Sequence, residues 1–320
     1  MNVFLCSTGF EDALVEEAHG AATIVCPGVV AAEAGDDFIL ARQILPDATR
    51  LRADSISKLA DAALARLKID RTFRLDALVA DDPSDPNLPG ELARRVSLVA
   101  KGALERHRKL ARLHASDAEL LAQILLVARD QAFVSVAPAG HWPVVWPGGR
   151  AAVADDWEAP SSAFRKLEEA LLWLGAEPRA GDRVVDLGAA PGGWSHVALR
   201  RGASVIAVDR ANLDPRVAKR VRHVRRDGFS YQPEDAPVDW LLCDIIAAPA
   251  KSLALLEKWL VHGWARNVVF HLKFKGRGDY ALAQRARALR PDLRVKHLFH
   301  DRNEVTVMAR ALLPQRIHKR

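Results

Sequence analysis

The fold is decided by the stretch Val184-Val185-Asp186-Leu187-Gly188-Ala189-Ala190-Pro191-Gly192-Gly193-Trp194. Its apolar, β-branched run followed by a glycine-rich turn predicts a strand, a tight loop and a helix start. Glycine lets the backbone adopt φ > 0 and approach a ligand closely, and a helix N-terminus presents free N–H groups. The stretch therefore predicts a turn that holds a nucleotide-like ligand. An ordinary strand-to-helix turn is the alternative.

The turn differs from the dinucleotide-binding fingerprint, which has glycine at its first, third and sixth positions. Here the six positions from Gly188 read Gly-Ala-Ala-Pro-Gly-Gly, so Ala190 replaces the second glycine and proline occupies the middle of the turn. This spacing favours a cofactor other than a dinucleotide. A dinucleotide-dependent oxidoreductase remains as an alternative that depends only on the α/β pattern.

Composition limits the class of protein. The 320 residues are 49% hydrophobic and 27% charged, as in folded soluble proteins, and no run approaches the ~20 apolar residues of a membrane span. The first residues lack the basic region of a signal peptide. The three cysteines, Cys6, Cys26 and Cys243, have no metal-ligand spacing. We therefore expect a cytoplasmic protein with no membrane partner, no zinc and no other metal.

Charge is distributed unevenly along the chain. Residues 161–320 contain 29 Lys and Arg against 17 Asp and Glu, whereas residues 1–160 contain 17 against 23. A polyanionic partner such as nucleic acid would explain the basic half. An arginine-rich proteome is the alternative explanation.

The first 150 residues predict two small units, at 1–45 and 46–150. In the first, strands at 3–6 and 22–26 accompany a helix at 11–18. In the second, a helix at 55–68, a strand at 73–79, a turn-rich loop at 81–90, a helix at 91–113 and a strand at 132–137 are predicted, and 120–128 fits either a helix or a buried strand. Residues 138–150 predict a linker, with the domain boundary between 148 and 160.

Two features of these units suit RNA. The helix at 91–113 carries eight basic side chains, which either complement the helix dipole and remain solvated or contact RNA phosphates. Trp142 and Trp146 either stack on bases or attach the linker to the surface. The basic residues are Arg94, Arg95, Lys101, Arg106, His107, Arg108, Lys109 and Arg112.

From residue 161 onward, strands alternate with helices, which predicts an α/β domain over 151–320 with a mostly parallel seven-stranded sheet covered by helices on both faces. A serine is predicted to cap the helix at 161–174, and Gly175 to end it. Strands are predicted at 183–187, 204–209, 223–227, 238–244, 267–273, 294–299 and 304–310, and further helices at 195–201, 251–261 and 281–289.

Polar residues end these strands, where ligands gather in open α/β sheets. Asp209 follows Gly188 by 21 residues, the distance at which an acid can bind ribose hydroxyls, and Asp227 ends the next strand. Either carboxylate could instead cap a turn. Asp244 and Lys273 follow apolar runs on neighbouring strands, so they form either a reactive cleft or a buried ion pair without chemistry.

Together these residues resemble the FtsJ-type RNA 2′-O-ribose methyltransferases, and most closely the family of the large-subunit rRNA cytidine 2′-O-ribose methyltransferase M (RlmM). The resemblance rests on D-L-G-A-A-P-G-G-W at 186–194, Lys166 in K-L-E-E-A, Cys243-Asp244, Lys273 in H-L-K and H-D-R-N-E-V-T-V at 300–307. It covers residues 160–310, and 1–10 and 39–43 are similar to the family's N-terminal region. It implies a Rossmann-like methyltransferase domain preceded by a short THUMP-like RNA-binding domain at 46–150.

The resemblance also implies the site. A catalytic tetrad falls on Lys166, Asp244, Lys273 and Glu304, with Lys273 as base. The cofactor is S-adenosylmethionine, and Ala163 stands where the family has a contacting serine, so Ser161 or Ser162 is the expected substitute. The implied cofactor contacts are Gly188, Ala190, Pro191, Gly192, Gly193, Asp209, Asp227 and Asp244.

The chemistry can also be argued from the residue types. A ribose hydroxyl is a weak nucleophile, so its attack on a sulfonium methyl needs a positioned proton acceptor. Lysine, with an ordinary pKa of about 10.4, is a poor base at neutral pH, and a second cation nearby would lower that pKa. This is a reason to bring Lys166 close to Lys273, with Asp244 and Glu304 orienting both.

The resemblance implies 23S rRNA as substrate, with a cytidine as target, and we expect a monomer or weak dimer. A non-catalytic RNA-binding ribosome-assembly factor of the same fold is the alternative function. His300, Asp301 and Arg302 are either structural or in contact with RNA, and His262 and His297 are expected to be ordinary surface or core histidines.

Overall fold

The computed structural model describes residues 1–35, 37–67, 69–80, 88–106, 108–139, 146–274 and 280–311. Contacts divide the chain into two compact units, Met1–Arg150 and Ala151–Arg320. Some sequence predictions fall outside the described residues: Lys68, the loop residues 81–87, His107, Trp142 and Pro143. The described helices include none that combines the length and apolar character needed to cross a membrane.

The first unit contains two four-stranded sheets. One has the order β2-β3-β1-β4 with antiparallel pairs, and the other has the order β5-β8-β7-β6, in which only β6 and β7 pair in parallel. The strands are β1 (Asn2–Leu5), β2 (Ala22–Cys26), β3 (Val29–Ala32), β4 (Gln43–Leu45), β5 (Thr49–Arg52), β6 (Phe73–Val79), β7 (Leu120–Ala128) and β8 (Gln131–Pro138), and the helices are α1 (Glu11–Glu17), α2 (Ile56–Arg66), α3 (Leu88–Arg106) and α4 (Arg108–Leu113).

Strand β7 is buried on both faces, which explains its uninterrupted apolar run. Ile124 and Leu126 pack in a core with α2 and α3, whereas Leu125 packs in a second core with side chains of β1, β3 and β4. A strand covered on both sides has no polar face, so its sequence cannot be distinguished from a buried helix. The structure resolves this alternative as a strand.

The second unit contains one seven-stranded sheet with the order β11-β10-β9-β12-β13-β15-β14. The five strands from β11 to β13 pair in parallel, and β15 runs antiparallel to both β13 and β14. The strands are β9 (Arg183–Leu187), β10 (Ser204–Val208), β11 (Arg222–Val224), β12 (Val238–Cys243), β13 (Ala265–Lys273), β14 (Arg294–Lys296) and β15 (Glu304–Ala309), and the helices are α5 (Phe164–Leu174), α6 (Gly193–Arg200), α7 (Pro215–Ala218), α8 (Pro249–Val261) and α9 (Ala281–Ala288).

Strand β9 lies at the point where the order of the sheet reverses, because β10 pairs on one side of it and β12 on the other. In open α/β sheets a crevice forms at this point, beyond the carboxyl ends of the strands. The glycine-rich turn that follows β9 therefore lies where the fold favours ligand binding.

The predicted serine cap of the helix at 161–174 is wrong. Helix α5 begins at Phe164, its N-cap is Ala163, and no side chain caps it. Residues 161–163 instead form a turn whose carbonyl oxygens accept from the first backbone N–H groups of α5. Gly175 ends the helix in the left-handed region, with φ of 63°, as predicted.

Candidate active site

The glycine-rich turn needs glycine at two positions. Gly188 has φ of 75°, and a Cβ there would lie 3.0 Å from the backbone nitrogen of Ile245. Gly192, with φ of 118°, is the N-cap of α6. Both conformations are left-handed, where L side chains are strained, so a close backbone approach and the helix start both depend on glycine. The Ala190–Pro191 peptide bond is cis.

A buried carboxyl in β9 is hydrogen-bonded to the helix that follows the turn. Asp186, in β9, has no exposed surface and accepts a 2.7 Å hydrogen bond from the Ser195 hydroxyl in α6. Burial raises the pKa of Asp186 to about 7, with the nearby charge of Asp244 acting in the same direction. Asp186 was not among the predicted site residues, because an acid inside an apolar strand carries no sign of its partner on α6.

A cavity of about 370 Å³ opens beside the turn. This volume falls within the range of about 300–1,000 Å³ of small-molecule sites. Of the predicted site residues, the cavity is lined by Gly188, Ala190, Asp209, Asp227, Asp244 and Lys273. Its lining also includes Phe229, Ile245, Ile246 and Lys251, which were not predicted from the sequence, and the Lys251 ammonium lies 3.9 Å from the centre of the Phe229 ring.

Two carboxylates on the cavity wall also hold turns in place. Asp209 accepts hydrogen bonds from the backbone N–H groups of Ala190, at 3.0 Å, and Ala211, at 2.8 Å. Asp227 accepts from the N–H of Phe229 at 3.0 Å. Asp209 and Asp227 therefore both cap turns and line the cavity. Carboxylates in such positions can accept hydrogen bonds from hydroxyl and amino groups of a nucleoside.

Asp244 and Lys273 contact each other at the carboxyl ends of β12 and β13. The Lys273 Nζ lies 2.8 Å from Asp244 Oδ1 and donates at 2.8 Å to the Asp244 carbonyl oxygen. Burial opposes ionisation of Asp244, but the hydrogen bond from His271 and the charge of Lys273 outweigh it and hold the pKa of Asp244 well below its usual range.

Lys166 and Glu304 form the second pair of opposite charges. The Lys166 ammonium in α5 donates to Glu304 Oε1 at the start of β15. Glu304 is directly opposite Lys273 in the pairing of β13 with β15. The pKa of Glu304 is lowered overall, because the effect of the neighbouring His271 and Lys166 is larger than the opposing effect of burial. Cross-strand partners have Cβ atoms about 4.5–5.5 Å apart, so this register brings the two charge pairs together.

Four predicted contacts lie outside the cavity lining: Pro191, Gly192, Gly193 and Ser161. Ser161 is nevertheless close to the turn, because a Cβ at Gly193 would lie 2.5 Å from its Oγ. That hydroxyl oxygen is buried and has no hydrogen-bond partner within the described residues. A buried hydroxyl without a partner is costly, which makes Ser161 a suitable ligand contact.

Trp194, which follows the glycine-rich turn, contacts both Ala163, just before α5, and His271 in β13. Its indole N–H donates to the Ala163 carbonyl oxygen at 3.0 Å, immediately before α5. Its ring meets that of His271 edge to face, with centroids 4.8 Å apart. Ala163, which stands where the resembled family has a serine, therefore holds the Trp194 indole through its backbone carbonyl oxygen.

His271 contacts Asp244, and Asp301 faces His271 on the opposite side of the ring. His271 Nδ1 lies 2.8 Å from Asp244 Oδ1, and its Nε2 lies 3.6 Å from Asp301 Oδ1. With Glu304 they offer three ligand atoms within 4.8 Å of one another, the spacing of a metal site. However, the Lys166 ammonium already contacts Glu304, and the Thr306 hydroxyl donates to Asp301 at 2.8 Å. We therefore interpret the group as separate hydrogen bonds and ion pairs around His271, whose Nε2 lies beyond hydrogen-bond distance of Asp301.

The other histidines singled out in the sequence are His262, His297 and His300, and each contacts a group of its own chain. His300 donates its backbone N–H to buried Glu169, and its ring Nδ1 lies 2.8 Å from the same carboxylate. Asp301 is buried and Arg302 is exposed. His262 is exposed at the end of α8, and His297 is buried with its ring 2.8 Å from the Arg302 carbonyl oxygen.

Comparison with known proteins shows the family. An FtsJ-like methyltransferase model matches residues 160–260. A ribosomal RNA large subunit methyltransferase M from Pseudomonas putida is 37% identical over 240 residues, which cover 68% of this chain and 66% of the relative. The same enzyme from a second strain is 35% identical over 272 residues, covering 78% of this chain and 73% of that relative.

The solved structure of TrmN from Thermus thermophilus covers 97% of this chain and 99% of its own, with a TM-score of 0.34 and 19% identity. The chain spans about two thirds of the length of the first Pseudomonas relative and nearly three quarters of the second. Its α/β fold, its FtsJ-like segment and its identity to these relatives place the chain in the ribosomal RNA large subunit methyltransferase M family.

Proposed function

We propose that this chain transfers a methyl group from S-adenosylmethionine to a ribose 2′-hydroxyl of 23S ribosomal RNA in the cytoplasm, with a cytidine as target. One observation carries the proposal. Asp244 and Lys273 line the same cavity as Gly188, Ala190 and Asp209, and the second charge pair, Lys166 with Glu304, adjoins them through the β13–β15 register.

The turn and the strand ends would hold the methyl donor. Asp209 and Asp227 suit the hydroxyl and amino groups of its nucleoside, and Ser161 has a buried hydroxyl oxygen available for a further contact. Pro191, Gly192 and Gly193 would contribute backbone next to the start of α6. When bound, S-adenosylmethionine supplies a methyl group on a positively charged sulfur, which is a good leaving group.

The tetrad would act on the RNA. A ribose hydroxyl that accepts the methyl group would have to give up its proton. Lys273, once it has lost its own proton, would take the hydroxyl proton, and Asp244 would hold its Nζ in place through two contacts. Lys166, positioned by Glu304, would orient the ribose hydroxyl.

The first unit would bind RNA. We assign residues 46–150 to a short THUMP-like domain, supported by the arrangement in which α2 and α3 pack in one core with β6, β7 and β8. The exposed Arg94 and Arg112 are its candidate phosphate contacts.

The test is methyl transfer from labelled S-adenosylmethionine to deproteinised ribosomal RNA, followed by mapping of the modified nucleotide. Lys273→Ala should lower kcat by at least about a hundredfold, because it removes the base, and leave the cofactor Kd within about threefold. Lys258→Ala, on α8, is the matched control and should keep the wild-type rate.

A Lys273→Ala rate within about tenfold of wild type would overturn the base assignment. Ribosomal RNA binding without affinity for S-adenosylmethionine would favour the non-catalytic assembly factor. Tight binding of NAD or NADP without methyl transfer would favour the oxidoreductase.

A further inference from the structure

His271 is placed to act on Lys273 through Asp244. The two residues are separated by one position in β13, so their side chains project from the same face of the sheet. His271 has no exposed surface, and its Nδ1 shares Asp244 Oδ1 with the Lys273 ammonium, each at 2.8 Å. The carboxylate oxygen that holds the proposed base is therefore held from behind by the imidazole.

Asp301 faces the other side of the ring. Its Oδ2 accepts hydrogen bonds from the Leu298 backbone N–H, at 3.0 Å, and from the Thr306 hydroxyl, at 2.8 Å. Thr306 is opposite His271 in the β13–β15 pairing. These contacts leave Oδ1 of Asp301 facing His271 Nε2 at 3.6 Å, and both atoms are buried without a hydrogen-bond partner within the described part of the chain.

Two carboxylates face one ring, and a neutral imidazole carries only one N–H. When the Asp301 carboxyl is protonated it needs no N–H from the ring, so the single imidazole N–H can lie on Nδ1 and face Asp244. Burial raises the pKa of Asp301 to about 7, so this carboxyl can hold a proton near neutral pH. The other charged groups nearby are Glu304, which Lys166 contacts, and Lys273, which shares Asp244 Oδ1 with the ring.

We propose that His271 and Asp301 form a positioning pair, in which His271 donates Nδ1–H to Asp244 and thereby keeps Lys273 Nζ aligned for proton transfer. This inference rests on the proposed methyl-transfer function. His271 contacts no reacting atom. Its role is to prevent rotation of the Asp244 carboxylate, whose misplacement by about 1 Å would cost on the order of a hundredfold in rate.

Two substitutions of similar polarity separate this role from simple packing. In His271→Asn the amide nitrogen occupies the place of Nδ1 and can still donate to Asp244. In His271→Gln the amide extends toward the place of Nε2, and Asp244 no longer has this donor. We therefore expect His271→Asn to keep kcat within about fivefold of wild type and His271→Gln to lower it by at least about thirtyfold, with the S-adenosylmethionine Kd of both within about threefold.

Asp301→Asn provides a second, nearly isosteric measurement. Its amide can donate to His271 Nε2, which fixes the proton on Nδ1, so kcat should stay within about threefold of wild type. His196→Asn is the matched control, because His196 is also buried and its Nε2 lies 2.9 Å from a carboxylate, that of Asp156. We expect it to lower Tm without a selective loss of kcat.

Equal rates for His271→Asn and His271→Gln would overturn the inference while the wild-type activity left the proposed function intact. If His271→Gln does not fold, a loss of more than tenfold in His271→Asn or Asp301→Asn would overturn it instead. Loss of wild-type activity on treatment with a chelator, restored by Zn²⁺ or Mg²⁺, would also overturn it, because the cluster would then be a metal site. A wild type that binds ribosomal RNA and transfers no methyl group would refute the proposed function.

Discussion

Asp186 shows how burial changes the chemistry of a single residue at the site. Its carboxyl is fully buried and receives its hydrogen bonds from the hydroxyl and the backbone N–H of Ser195, while its Oδ1 has no partner within the described residues. These neutral donors do not replace the water that an ionised carboxylate loses, so burial raises the pKa to about 7. The strand that precedes the glycine-rich turn thereby carries a group that titrates near neutral pH.

The predicted consequence is a fall in stability with pH. Below the ordinary aspartate pKa both the folded and the unfolded states are protonated, and between about pH 4 and pH 7 the unfolded chain ionises while the folded Asp186 keeps its proton. The free energy of unfolding should therefore decrease as pH rises through this window, by a few kcal/mol. Asp186→Asn, which stays neutral, should reduce that decrease.

Urea unfolding of both proteins at pH 5 and pH 8 measures the effect. Between pH 5 and pH 8 the wild type should lose stability relative to the variant, because folded Asp186 keeps a proton that the unfolded chain has released. Equal pH slopes for the two proteins would show that Asp186 ionises normally in the folded state.

At the same scale, the sequence predicted residues that end strands better than residues inside them. Asp244 and Lys273 were expected on neighbouring strands, and the structure places them 2.8 Å apart. His271 and Asp301 were not recognised as a pair, because their contact depends on the antiparallel register of β13 and β15. No local pattern encodes a side-chain contact across 30 positions of sequence.

At the scale of elements, the glycine-rich turn requires both a positive φ and a close approach of two backbone segments, and glycine substitutions can separate the two requirements. Gly188 and Gly181 both have positive φ, but only Gly188 lies against another segment, the backbone of Ile245. Gly181→Ala should therefore cost only the left-handed strain, about 1–2 kcal/mol.

Gly188→Ala adds a clash to this strain and should destabilise the protein further. It should also raise the S-adenosylmethionine Kd by at least about tenfold, because the turn lines the cavity. Thermal unfolding and calorimetric titration of both variants measure the two effects. Equal cofactor affinities for the two variants would show that the cavity does not depend on this close approach.

The α/β class of the second unit and most of its elements could be predicted, since parallel strands read as apolar runs separated by helical patterns. The predicted strand at 183–187 coincides with β9. In the first unit, β3, β4 and β5 were not predicted. These strands have three or four residues, too few to display a period, and pairing with neighbours stabilises them.

At the scale of the whole chain, the distribution of charge predicts how RNA should bind. Binding of a basic surface to phosphates releases counterions, so affinity should fall at least about tenfold between 50 and 200 mM salt. Arg94 and Arg112 are exposed, and replacing both with Gln should weaken binding and reduce the salt slope by about 1 for each phosphate that is no longer neutralised. Filter binding of ribosomal RNA at several salt concentrations measures the slope.

The control for this double variant is Arg106→Gln. The sequence pattern grouped Arg106 with the phosphate contacts, but its guanidinium donates to the Ser57 carbonyl oxygen and pairs with Asp61. Replacing it should mainly lower stability. An unchanged salt slope in the Arg94 and Arg112 variant would show that RNA contacts lie elsewhere in the chain.

The position of Trp194 has a consequence for the timing of events at the site. Through one hydrogen bond and one ring contact, this residue joins the glycine turn, the start of the helix that carries Lys166, and the strand that carries Lys273. Trp194 therefore connects three segments that are distant in sequence. The separation between the glycine-rich turn and Lys273 is then set by contacts made during folding, so the protein's own groups need no fresh alignment in each turnover.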